Sequence, residues 1–110
     1  MVIDAVDTIA KIKLQIAEHK ILLYMKGSPK LPQCGFSAQA AQCIDACEVD
    51  FAYVDLLVNP DIRKVLPQYS DWPTFPQLYV QGELIGGADI INELYQQGEL
   101  KKLLQATIKE

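Results

Sequence analysis

Cys34 is the residue whose setting most favours chemistry, in the run PQCGFS over residues 32–37. It follows a loop and comes just before a predicted helix, where unpaired backbone N–H groups and the helix dipole favour an anion. Thiolate is therefore favoured over thiol, and only the thiolate is a nucleophile or a metal ligand. Lys26 could add a positive charge nearby. The alternative is a buried, inert cysteine that ends the loop by chance.

Ser37 stands where a Cys-x-x-Cys motif would carry its second sulfur. A hydroxyl cannot form the intramolecular disulfide of a dithiol cycle, so Cys34 is expected to act as a single thiol. Ser37 can instead donate a hydrogen bond to the thiolate or serve the first turn of the helix, and both roles stay open. Cys43 and Cys47 share the predicted apolar side of that helix and are interpreted as structural. Cys43 would stand about 13 Å along the helix from Cys34, too far for a disulfide.

Two further segments, WPTFP at residues 72–76 and GGAD at residues 86–89, are candidates for ligand binding. Pro76 can adopt a cis bond and lacks a donor, which leaves neighbouring backbone groups free for a peptide-like ligand; a tight turn is the alternative. The GGAD segment precedes a helix, where backbone N–H groups could hold a carboxylate and Asp89 an ammonium group. A glycine turn with an aspartate cap is the alternative there. Arg63 is either a carboxylate partner or an ordinary exposed charge.

Hydrophobic periodicity predicts the elements that position these candidates. Isoleucines at helical spacing predict a first helix that ends near residues 18–19. The apolar run 21–25 is typical of a strand covered on both faces. Residues 26–33 contain glycine and prolines and are predicted to form a loop. The second helix is predicted from an apolar stripe of Phe36, Ala40, Cys43, Ile44 and Cys47.

The rest of the chain predicts a second strand at residues 51–55, a β-hairpin around Gln81 and Gly82, and three helices. Asn59 would cap the third helix, the fourth would run through Ile90, Leu94 and Tyr95, and leucines mark the fifth. A helix between the first two strands requires parallel pairing and a right-handed crossover. The resulting order, αβαβαββαα, is that of an α/β thioredoxin-like fold with a four-stranded mixed sheet flanked by helices, although order alone does not settle it.

Composition sets the class of protein. A chain of 110 residues that is half apolar suits one domain, residues 1–110, with one modest core. The first residues lack a basic cluster, and the apolar runs fall short of the roughly 20 residues needed to cross a bilayer. A net charge of −4 without blocks of like charge argues against nucleic-acid or membrane binding. Three cysteines, an odd number, favour a reducing compartment, the cytoplasm, over a disulfide framework.

Taken together, the segments at residues 26–37, 72–76 and 86–89 resemble, in order and spacing, the monothiol glutaredoxins of the CGFS type. The resemblance covers nearly the whole chain and implies a glutaredoxin domain that binds glutathione and a [2Fe–2S] cluster. Cys34 would be both the redox-active, catalytic thiol and the cluster ligand. Many relatives have cysteine at the position of Ala88, so the second thiol proposed for them is absent here.

The resemblance also implies how glutathione would lie. Its sulfur would face Cys34, with Lys26 and Arg63 on its glycine carboxylate. Backbone groups of Phe75 would pair with its cysteinyl part. The γ-glutamyl end would be held by Gly87, Ala88 and Asp89.

Three functions follow as alternatives. In the first, which the resemblance favours, the protein carries and helps to assemble iron–sulfur clusters. Such a cluster commonly needs four thiolates, which Cys34 and one glutathione from each of two chains would supply. A homodimer bridged by the cluster, a BolA-like protein and apo iron–sulfur proteins are the implied partners. In the second, Cys34 alone removes glutathione from mixed disulfides, as a weak oxidoreductase. In the third, the chain is a binding module that needs no thiol chemistry.

Overall fold

The computed structural model describes residues 5–109, and helices and strands alternate in the predicted order. The elements are α1 (Ala5–Glu18), β1 (Ile21–Met25), α2 (Gly35–Asp45), β2 (Ala52–Asp55), α3 (Pro60–Ser70), β3 (Gln77–Val80), β4 (Glu83–Gly86), α4 (Ala88–Gln96) and α5 (Glu99–Ile108). None of the helices within this range is long and apolar enough to cross a membrane.

The four strands form one mixed sheet in the order β2-β1-β3-β4. Strand β1 pairs in parallel with β2, where Leu23 lies opposite Tyr53, and antiparallel with β3, where Leu23 lies opposite Leu78. Strands β3 and β4 form the predicted hairpin, with Gln81 and Gly82 at positive φ in its turn. The predicted thioredoxin-like fold and its mixed sheet are confirmed.

Alternate residues of β1 contact different helices, because successive side chains of a strand point to opposite faces. Leu22 and Tyr24 belong to a core that α1 and α3 cover, together with Ile12 and Leu66. Leu23 and its neighbours on the other face lie in a second core beneath α2, α4 and α5. Every residue of β1 is buried, which explains its continuous apolar run.

The buried side of α2 differs from the prediction. Phe36 was placed on the apolar stripe, but it is 61% exposed, whereas Ser37 is fully buried. At 100° per residue, Ser37 lies within about 20° of Ile44 around the helix, while Phe36 is rotated by about 80°. Cys47 is buried as expected, although it lies in the turn after the helix.

Two smaller predictions about helices are confirmed in position, with details that the sequence did not give. Asn59 occupies the N-cap position of α3, but its side chain makes no cap hydrogen bond. Its Nδ2 instead donates to the carbonyl of Asp55 at 2.8 Å, which ties the start of the helix to the end of β2. Helix α4 runs through Ile90, Leu94 and Tyr95 as predicted, with Ile91 fully buried and Tyr95 38% exposed.

Helices α1 and α3 cover the same core, so leucine-to-alanine substitutions on their buried and exposed sides should affect stability unequally. Leu66→Ala in α3 removes a fully buried side chain, so the free energy of unfolding should fall by about 2–5 kcal/mol. Leu14→Ala in α1 is the matched control, because Leu14 is 59% exposed, and it should change that free energy by less than about 0.5 kcal/mol. Urea denaturation of both variants measures the difference. Equal losses would contradict the assignment of Leu66 to this core.

Candidate functional site around Cys34

One open cavity of about 530 Å³ lies at the edge of the sheet where β1 ends and β3 begins. All of the site residues predicted from the sequence line it: Lys26, Cys34, Arg63, Phe75, Gly87, Ala88 and Asp89. The sequence did not single out Phe36 and Ile90 as lining residues, and both also contribute to the wall. The structure therefore brings the predicted residues together, while their roles towards a ligand stay predictions.

The fold explains this convergence. Lys26 directly follows β1, and Cys34 occupies the N-cap of α2, the helix that returns across the sheet. Phe75 comes just before β3, and Gly87 caps the helix that follows β4. Because β3 is antiparallel to β1 and β4 to β3, the end of β1, the start of β3 and the end of β4 lie at one edge. Segments far apart in the sequence are adjacent there.

Cys34 has an extended backbone, with φ −153° and ψ 135°, and is partly exposed. The pKa of its thiol lies below the usual value, chiefly because the backbone N–H of Ser37 stabilises the thiolate. Partial burial acts in the opposite direction. The N–H of Phe36, the hydroxyl of Ser37 and the charge of Lys26 lower the pKa further. The predicted activation of Cys34 thus comes mainly from the first turn of the helix.

Ser37 connects this thiol to the neighbouring loop. Its fully buried hydroxyl accepts a hydrogen bond from the backbone N–H of Lys26 at 3.0 Å and also lowers the pKa of Cys34. Of the two roles that the sequence left open, the thiol-partner role is supported, and the hydroxyl also ties the loop after β1 to the helix. Ser37→Cys would replace the oxygen that accepts this hydrogen bond from Lys26 by a larger sulfur, which is a weaker acceptor.

The loop between Lys26 and Gln33 is held tightly. The N–H of Gln33 donates to the carbonyl of Lys26 at 2.9 Å, and Gly27 has φ +90°. A Cβ at Gly27 would lie 2.5 Å from the carbonyl oxygen of Leu31, so only glycine fits. Asp55, which sequence reasoning missed, accepts hydrogen bonds from the N–H groups of Gly27 and Leu57, each at 2.9 Å. An aspartate at the end of a strand was the available signal.

On the far side of the cavity, the WPTFP segment faces the start of α4. The Phe75–Pro76 bond is cis. Gly87 lies close to this segment, since a Cβ there would be 3.3 Å from the carbonyl oxygen of Pro76 and 3.4 Å from Nε1 of Trp72. The preceding Gly86 has φ +151°, and a Cβ would lie 2.6 Å from Cδ1 of Ile90. Gly86 is therefore required by its φ and by close approach, whereas a Cβ at Gly87 would require its neighbours to shift by a few tenths of an ångström.

Cys43 and Cys47 differ from Cys34 in environment. Both are buried and free, and burial raises the pKa of each thiol. The Sγ of Cys47 donates to the carbonyl of Cys43 at 3.3 Å. Within residues 5–109, no group of three or more His, Cys, Asp or Glu side chains is placed to hold a metal ion. A metal centre on Cys34 would need ligands from outside this part of the chain.

Alkylation by iodoacetamide should therefore select Cys34. Its rate should rise with pH and reach half its maximum below the value of about 8.5 typical of a free thiol. Ser37→Ala should move this midpoint to higher pH, but only modestly, because the backbone N–H remains. Ser28→Ala, in the same loop, is the control and should leave the midpoint unchanged.

Mass spectrometry of the native protein should find Cys43 and Cys47 unmodified until the chain is denatured. A midpoint of Cys34 at the free-thiol value would contradict the activation described above. Equal labelling of all three cysteines in the native state would contradict the assigned burial.

Several known proteins resemble this chain over most of its length. A protein-family model described as Glutaredoxin matches residues 21–85. The probable monothiol glutaredoxin GrlA of Legionella pneumophila is 74% identical over 87 residues, which cover 79% of this chain and 98% of that protein. Glutaredoxin 4 of Escherichia coli is 67% identical over 100 residues, or 91% of this chain and 87% of that protein.

Among solved structures, the reduced apo form of poplar GrxS14 superimposes with a TM-score of 0.77 at 40% identity. The match covers 92% of this chain and 93% of that one. The holo form of glutaredoxin C1 from a Populus hybrid has a TM-score of 0.84 at 21% identity, over 96% and 94% of the two chains. At 21% identity, the similarity to glutaredoxin C1 shows a shared fold alone.

Proposed function

The chain belongs to the glutaredoxin family, with monothiol relatives, and we propose that it binds glutathione and a [2Fe–2S] cluster and acts as an iron–sulfur cluster carrier and assembly factor. One observation carries the proposal. The cavity contains a single thiol, that of Cys34, its pKa is lowered, and the CxxS spacing puts Ser37 in place of a second sulfur. Such a thiol suits ligation shared with a second molecule better than disulfide cycling within one chain.

Glutathione fits the charges around the cavity. It has a carboxylate at each end and an ammonium group beside one of them. Lys26 and Arg63 provide cations for the glycine carboxylate, and the N-terminus of α4 with Asp89 suits the γ-glutamyl end. The backbone of Phe75 would pair with the central cysteine. A volume of about 530 Å³ lies within the range of small-molecule sites.

The cluster is cargo in this proposal, and the chain's own part is to supply and expose one thiolate. Four thiolates would come from Cys34 and glutathione in each of two chains. Leu31 and Phe36, which flank the thiol in sequence, are 72% and 61% exposed, and a second chain or a BolA-like partner could cover them. Since half of the ligands are diffusible, release to apo iron–sulfur proteins would be easy. Free cysteines suit work in the reducing cytoplasm.

Anaerobic reconstitution with ferrous iron, sulfide and glutathione tests the proposal. The protein should acquire thiolate-to-iron absorption, about one iron per chain and the size of a dimer, because two chains share one cluster. Cys34→Ala should lose all three signals. Cys43→Ala is the matched control and should retain them, since Cys43 is buried away from solvent.

Omission of glutathione is the second control and should also prevent assembly. A cluster of normal yield in Cys34→Ala would refute the role of this thiol. Normal yield without glutathione, with dithiothreitol also absent, would refute the shared ligation.

A second candidate function is supported by the lowered pKa of Cys34 alone. The thiolate would attack the glutathione sulfur of a mixed disulfide and release the protein thiol. A second glutathione would then attack the Cys34–glutathione disulfide, giving glutathione disulfide and free Cys34. This cycle needs no further cysteine and makes the protein a glutathione-dependent oxidoreductase.

We expect this activity to be weak. A glutathionylated peptide should be reduced more slowly than by a dithiol glutaredoxin under the same conditions, and Cys34→Ser should abolish the reaction while Cys47→Ala preserves it. Peptide release followed by chromatography measures the rate. Turnover equal to that of the dithiol enzyme would rank the oxidoreductase above the carrier.

A further inference from the structure

Gln77, the first residue of β3, is a fully buried glutamine whose side chain binds the backbone of the WPTFP segment. Its Nε2 donates two hydrogen bonds, to the carbonyl of Trp72 at 3.0 Å and to that of Thr74 at 3.2 Å. Both N–H groups of the amide are therefore used on backbone that lies before Pro76. Gln77 does not itself line the cavity, so any effect on a ligand must pass through this segment.

The amide of Gln77 makes a third hydrogen bond through its oxygen. The hydroxyl of Tyr79 donates to Oε1 of Gln77 at 3.1 Å. A flipped amide would turn Oε1 towards two carbonyl oxygens that cannot donate, whereas the hydroxyl of Tyr79 can donate or accept, so the two carbonyls decide the observed orientation. Burial makes the satisfied network rigid, because an unpaired polar group at this depth would be costly.

The backbone that Gln77 holds forms one wall of the cavity. Trp72, Thr74 and Phe75 all line it, and Phe75 is the residue assigned to the central part of glutathione. The same segment supports the opposite wall, since Gly87 approaches the ring of Trp72 and the carbonyl of Pro76. Trp72 has a second tie, a longer contact of 3.4 Å from the hydroxyl of Ser70. Displacement of this segment would therefore move both Phe75 and Gly87, the residues proposed to contact glutathione on the two walls.

We propose that Gln77 is a positioning residue for tripeptide binding: its amide holds the Trp72–Phe75 backbone in the orientation that pairs with an extended thiol peptide. The inference rests on the proposed glutathione site and deepens it. Gln77 makes no contact with the ligand and takes no part in thiol chemistry. Gln77 lowers the entropic cost of binding, because it restricts this segment before the ligand arrives.

The test compares two variants of one hydrogen-bond network. Gln77→Met keeps the length of the side chain and removes both donors to the segment. Tyr79→Phe is the matched control, because it removes one buried hydrogen bond of the same network and leaves both donors in place. S-methylglutathione, which cannot form disulfides or bind iron through a free thiol, is the probe, and amide chemical shifts followed by NMR report its dissociation constant.

The dissociation constant should rise about tenfold in Gln77→Met, which loses two hydrogen bonds to the segment. It should rise less than about twofold in Tyr79→Phe, which loses none of them. Unchanged affinity in Gln77→Met, or an equal loss in both variants, would overturn the inference and leave glutathione binding intact. If the unsubstituted protein fails to bind the probe, the proposed glutathione site falls and this inference with it.

Gln77→Glu keeps the test decisive if Gln77→Met does not fold. The introduced carboxyl can donate to one carbonyl only while protonated, and when ionised it faces the oxygens of Trp72 and Thr74. Burial raises the pKa of a carboxyl, so affinity should be a few-fold below normal at pH 5, where one donor remains, and much lower at pH 8. Burial also raises the pKa of Tyr79 to about 12, so its hydroxyl stays neutral throughout.

The affinity of Gln77→Glu is divided by that of the unsubstituted protein at each pH, which removes the effects of groups common to both, Cys34 included. A ratio that falls with rising pH supports the inference. A ratio that is constant between pH 5 and pH 8 overturns it.

Discussion

The burial of β1 on both faces is the constraint on which the rest of the structure depends. A strand that is covered on both sides needs helices above and below it, and a parallel neighbour requires α2 to return across the sheet. The N-terminus of α2 must then lie at the edge where β1 ends. Topology brings Cys34 and Lys26 together there, and the charge of Lys26 then helps to lower the pKa of the thiol. The same argument places Phe75 and Gly87 at this edge through the antiparallel strands.

Polar side chains refine what topology provides. Two segments that border the cavity are tied by buried or partly buried groups. In the loop after β1, Ser37 accepts from the N–H of Lys26 and Asp55 from that of Gly27; in the WPTFP segment, Gln77 donates to the carbonyls of Trp72 and Thr74. Among the described residues, no buried side-chain nitrogen or oxygen lacks a partner. Each tie contributes little to net stability, but an unpaired partner would be costly. Such groups therefore specify the loop conformations more than they stabilise the fold.

Sequence reasoning succeeded where one physical pattern has one structural meaning. The apolar run of β1, the glycine of the hairpin turn and the order of elements predicted the fold, and the family resemblance of the motifs predicted which residues would line the cavity. It failed over Phe36, because helical spacing alone does not show whether the rest of the protein covers a residue in the first turn. Asp55 and Gln77 were missed because an aspartate or glutamine at a strand end is a weak signal with several equally ordinary roles.

The serine at position 37 also decides what happens when Cys34 is oxidised. A peroxide converts an accessible thiolate to a sulfenic acid, which a neighbouring cysteine can trap as an internal disulfide before further damage. Ser37 offers no such trap, and Cys43 and Cys47 are buried. Rescue must then come from a thiol in solution, which condenses with the sulfenic acid and releases water. The redox state of this protein is therefore tied to the concentration of small thiols around it, so that their depletion would leave Cys34 open to irreversible oxidation.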